Sequence, residues 1–134
     1  MKRYLVIPAA VAMVAIPASA AHARDLYMVR DVGYSNGVYY GEFAALAKTG
    51  KYVVGAVGAF SSEYTCIRGV VKNGKLRATY YSDGLPAGNF TRKWVGSGSS
   101  QRIKGMLPST YTDMVTYLEG GDPRAFITDC QNAT

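Results

Sequence analysis

Nucleophilic catalysis and zinc binding both lean on imidazole, and this chain of 134 residues has one histidine, His22. His22 lies in a segment that reads as an address. Lys2 and Arg3 make a basic start, and Tyr4 to Ile16 is a short apolar run without charge. Pro17 follows, then two small-x-small sites, Ala18-Ser19-Ala20 and Ala21-His22-Ala23. That is the order of a secretory signal peptide, and residues 1–23 are read as one, with a single β-rich domain over 24–134. The run is too short to cross about 30 Å of hydrocarbon, and Pro8 interrupts it. Cleavage after Ala23 removes the histidine, whereas cleavage after Ala20 leaves it second in the chain. A mature chain without histidine cannot run a Ser-His-Asp or Cys-His mechanism, and it lacks the usual zinc ligand set. No metal, no cofactor and no catalytic residue is assigned.

Carboxylate chemistry stays open. Glycoside hydrolysis needs two carboxyl groups facing one cleft, and Glu42, Glu63, Asp83, Asp113 and Glu119 are the candidates. Glu42 stands out because it sits inside the apolar strand "YYGEF", where alternation groups it with Val38, Tyr40 and Ala44. If that face lines an interior, Glu42 is a buried acid and a site candidate; if it faces water, it is a routine exposed residue.

Two cysteines, Cys66 and Cys130, form an even pair, and in an oxidising compartment such a pair points to a disulfide. A reactive thiol would need a base or metal nearby to lower its pKa, and the mature chain offers no histidine for that.

Loss of Lys2 and Arg3 takes the formal net charge from +6 to +4. Arg92, Lys93, Arg102 and Lys104 flank the loop "GSGSSQ", residues 96–101, and cluster if their strands pair. With Trp94 among them they form a candidate recognition patch for an anionic surface. Against it stands a solvated charged face with Trp94 in the core. The loop lacks the Gly-Lys-Ser/Thr ending of a phosphate loop and reads as a flexible hairpin connection. The basic residues are dispersed and carry no recognition motif, which argues against nucleic acid. The chain has 11 tyrosines, which suit ligand surfaces and strands alike.

These residues need elements to position them. In "CIRGVVKNGKLRATYYS", residues 66–82, Asn73-Gly74 is a two-residue hairpin turn. Placing it there sets Val71 against Leu76, Gly69 against Ala78 and Ile67 against Tyr80 on an uncharged face. Arg68, Lys72, Lys75 and Arg77 then fall on the other face, and a one-residue slip destroys the partition. Residues 37–46, 51–60 and 25–32 read as further strands, and 90–96 with 102–107 as a second hairpin. Glycines at 41, 55, 58 and 69 recur inside strands, a device for bending a sheet. In "STYTDMVTYLEGG" Tyr111, Met114, Val115 and Leu118 share a helical face, with Thr110 and Asp113 as a capping pair and Gly120 as a stop. Asp122-Pro123 reads as a turn and "RAFITDC" as a last strand. The expected fold is mainly β, an antiparallel small barrel or strongly curved sheet with one short C-terminal helix.

The expected function is an exported, non-enzymatic binding protein for a small ligand or an anionic envelope surface. The alternatives are a small carboxylate-dependent hydrolase and a secreted inhibitor or effector that presents a loop to a partner protein. A hollow barrel favours the carrier, paired acids in a cleft favour the hydrolase, and a filled core with one protruding loop favours the inhibitor.

Overall fold

A computed structural model of the chain describes residues 23–134. The expected signal peptide, apart from Ala23, lies outside the described residues. Eight strands and two helices follow in the order β1 (Arg24–Ser35), β2 (Val38–Thr49), β3 (Tyr52–Ala59), β4 (Tyr64–Lys72), β5 (Lys75–Ser82), β6 (Leu85–Val95), β7 (Arg102–Ile103), β8 (Leu107–Ser109), α1 (Tyr111–Tyr117) and α2 (Pro123–Ala133).

The β4–β5 hairpin has the register that its alternation requires, with Lys72 opposite Lys75, Val71 opposite Leu76 and Ile67 opposite Tyr80. Asn73 and Gly74 both take positive φ, 54° and 71°, as a type I′ turn demands. The same chemistry turns β1 into β2 at Asn36-Gly37 and β5 into β6 at Asp83-Gly84. Strand β1 therefore runs on to Ser35 and β6 starts at Leu85, both beyond the sequence-based bounds. The expected second hairpin is short, because β7 has only Arg102 and Ile103 opposite Val95 and Trp94.

The strands lie in the order β7-β6-β5-β4-β3-β2-β1-β8. The two ends of that order, β7 and β8, are joined by Lys104 to Met106, where the Met106 N–H donates to the Ile103 carbonyl over 3.1 Å. One stretch of chain thus starts on one edge of the sheet and finishes on the other, so the sheet must curl until its edges approach. The Ile103 N–H donates to Met28 Sδ across this seam, 3.4 Å away. The sheet is strongly curved and not a closed barrel, since no ladder joins its edges. At Gly55 an added Cβ would lie 2.1 Å from the Ala45 carbonyl oxygen, so only glycine lets β3 approach β2 as it does.

The concave face is filled at one end by Leu26, Met28, Leu46, Val53, Ile67, Leu76, Trp94 and Met106. On the convex face Phe43, Ala45 and Ala47 of β2 are buried as well, under the helices. Burial on both faces explains why "FAALA" reads as an unbroken apolar run.

Among the described residues there are two short α-helices where one was expected. Helix α1 starts as its sequence predicts, with the Thr110 hydroxyl accepting from the Asp113 N–H. The second helix corrects the strand expected at "RAFITDC". Asp122 is its N-cap, accepting from the Arg124 N–H at 2.9 Å, and Pro123 is its first residue. Proline is well placed there, because its missing N–H would have no helical partner. Pro123, Ile127 and Cys130 form its buried face, and the small side chains of Ala45 and Ala47 admit it closely. Phe, Ile and Thr favour strands on propensity, and packing overrides that preference here. Cys130 is bonded to Cys66, which fixes α2 to the outer face of β4. Among the described residues, no helix is long and apolar enough to cross a membrane.

Candidate functional site: a cleft along the seam

Strand β1 pairs with β8 only over Tyr27–Val29, and β6 pairs with β7 only at Trp94 and Val95. Beyond these short ladders, the facing edges of β1 and β6 have no strand between them. A cleft of about 630 Å³ lies there, above the filled end of the core. Alternation decides what lines it. Leu26, Met28 and Arg30 share one face of β1, and Ala44 and Glu42 share the facing side of β2. Strand β6 contributes Phe90 and Arg92, β3 contributes Val57 and Ala59, and the turn between β7 and β8 contributes Lys104 and Met106. Ile103, Thr65 and Tyr80 also line it.

Glu42 borders the cleft, but it is half exposed and is not the buried acid that an interior face would have made it. It sits directly opposite Arg30 in the ladder, and the two side chains form an ion pair. Arg92 lies over the Phe90 ring, with its guanidinium carbon 5.3 Å from the centroid, and its Nη1 donates to the Thr91 carbonyl. Among the described residues, Arg30–Glu42 is the one ion pair, so Arg92 and Lys104 have no carboxylate partner.

The six residues singled out in the sequence separate into two groups. Glu42, Arg92 and Lys104 all line the cleft. Lys93 faces the opposite side of β6, across from Lys75. The Arg102 guanidinium is tied to the Ser100 carbonyl at 2.8 Å. Trp94 is in the core at 7% exposure, its indole N–H donating to Gln101 Oε1. The "GSGSSQ" loop folds into a turn of 3-10 helix at Gly98–Ser100, tied down by the Ser100 hydroxyl donating to the Ser97 carbonyl. The four cations around that loop thus do not form one patch, because successive residues of a strand point to opposite faces.

No family model, no curated protein and no solved structure matches this chain.

What the cleft can do rests on its own chemistry. Glu42 is the one carboxylate among the residues that line it, so it lacks the second acid that glycoside hydrolysis needs. Shifted titrations occur elsewhere, where the helices meet the sheet. Burial, then the Asp25 carboxylate, pushes the Tyr27 hydroxyl up, and burial with Asp129 does the same to Tyr64. The Arg124 backbone N–H, then the Tyr111 hydroxyl, holds Asp122 below the usual carboxylate range. Tyr27 donates to Asp25 within β1, whereas Tyr64 to Asp129 ties β4 to α2 and Tyr111 to Asp122 joins α1 to the cap of α2. Among the described residues, no group of three or more His, Cys, Asp or Glu is gathered as a metal site.

Of the lining residues, Arg30, Thr65, Phe90 and Met106 went unremarked in the sequence. Arg30 had a signal, since it follows Leu26 and Met28 at intervals of two. Met106 had none, because it lies in a turn whose place depends on both edges of the sheet.

Proposed function

We propose that this chain is an exported, non-enzymatic binding protein that holds a small ligand in the seam cleft. The cleft itself carries the reading. Ligand sites are concave and roughly 300–1,000 Å³, with apolar walls and polar groups that fix orientation, and this cleft has that size, with apolar side chains beside Arg30, Glu42, Arg92 and Lys104. The filled lower core gives it a rigid floor, and the half-open mouth admits a molecule without unfolding the sheet. The Cys66–Cys130 bond supports a secreted or periplasmic setting, where such bonds persist.

Native mass spectrometry of protein purified from its own source tests the reading. The expected result is a retained small molecule, at up to one per chain. Thr65→Trp, made at an exposed position on the rim of the cleft, should lose that molecule while melting cooperatively. A bare wild-type protein, or equal retention by the variant, would refute the proposal.

A further inference from the structure

The cleft is not electrically neutral, and its imbalance has a direction. Arg30 and Glu42 cancel one another across the β1–β2 ladder. Arg92 and Lys104 remain, and both line the same cleft with no carboxylate partner among the described residues. A ligand that covers these cations strips water from them, which is costly unless it brings a compensating charge. Arg92 is also oriented. One of its nitrogens is engaged by the Thr91 carbonyl and its carbon rests over Phe90, which leaves the remaining guanidinium donors for an acceptor. Beside the two cations the wall turns apolar, with Phe90, Ile103, Met106 and Val57.

We infer that the ligand class is an anionic amphiphile, a single acyl chain or comparable apolar body carrying one carboxylate-like head group. The head lies between Arg92 and Lys104, and the body lies along Phe90, Ile103 and Met106. This rests on the cleft being the binding site. The Arg30–Glu42 pair adds selectivity. Already paired, Arg30 offers a second anionic group no free cation, and it holds Glu42 back from pairing with Arg92 or Lys104.

Titration calorimetry with three ten-carbon probes below their micelle concentrations tests the inference: decanoate, decanol and decyltrimethylammonium. Decanoate should bind about tenfold more tightly than either of the others, the effect of one charge-assisted contact. Arg92→Ala with Lys104→Ala should erase that preference, bringing decanoate down to the affinity of decanol in the same variant. Both positions are exposed, and circular dichroism would show the double variant folded. Equal affinity for decanoate and decanol in the wild type would overturn the charge assignment and leave the cleft as the site. Binding of none of the three would overturn the site as well. Pelleting with anionic phosphatidylglycerol vesicles but no decanoate binding would also overturn the inference, in favour of a membrane surface as the source of the anion.

Discussion

Gly74 and Asp122 are the two residues whose conformational and titration demands can be tested alone. Gly74 sits at φ +71° in the β4–β5 turn, a region that costs a β-branched side chain dearly. Gly74→Val should lower stability by ~1 kcal/mol or more in denaturant unfolding. Decanoate binding by the folded fraction should survive, because the turn lies away from the cleft. Asp122 makes a different demand, since it caps α2 as a carboxylate. Its folded-state pKa is held below the ordinary value, so its contribution is complete above the unfolded-state pKa. That contribution fades as pH falls through the folded-state value. Asp122→Ala should therefore melt below wild type at pH 7, and the gap should close as the pH is taken down through the acid range. A gap that stays constant to pH 2 would mean that the carboxylate charge plays no part in the cap.

Helix α2 depends on its staple as well as its cap. The Cys66–Cys130 bond spans a sequence separation of 64, and closing so long a loop removes much of the freedom of the unfolded chain. Chain-entropy arithmetic puts the effect of Cys66→Ala with Cys130→Ala at about 4 kcal/mol as an upper figure, measurable by denaturant unfolding. Thiol titration of denatured, unreduced protein should find no free sulfhydryl. Elements differed in how openly their sequences declared them. The β4–β5 register could be read because Asn73-Gly74 fixes the turn and only one pairing separates charge from apolar side chains. Helix α1 could be read from its period and its Thr110 cap. Helix α2 could not, since Asp122-Pro123 serves equally as a turn or a helix start. What decides between them is the shallow bed of Ala45 and Ala47, supplied by a strand some 80 residues earlier. The same logic governs the cleft. Glu42 was visible as an acid within an apolar strand, whereas its sharing one cleft with Arg92 and Lys104 depends on the curl of the whole sheet.

At the scale of the molecule, the first strand starts at Arg24, immediately after the expected cleavage point at Ala23. N-terminal sequencing of exported protein should begin at Arg24 or, with the earlier site, at Ala21; exported material that still began at Met1 would contradict the leader. The curled sheet also has a bearing on time. Among the described residues, every strand pairing but one joins neighbours in the chain, and the exception is β1 with β8, which sets Val29 against Leu107. Hairpins made from neighbouring strands need only short loops to close, whereas that last pairing must wait for the two distant edges to meet. The rate-limiting barrier should then be crossed with the hairpins assembled and the seam still apart. Met106→Ala, a change at the buried turn of the seam, should accelerate unfolding and barely slow folding, while Ile67→Val within the β4–β5 hairpin should slow folding. Stopped-flow measurements on the oxidised protein would separate the two arms. The seam that leaves room for a ligand would thus be the last part of the protein to form and the first to open.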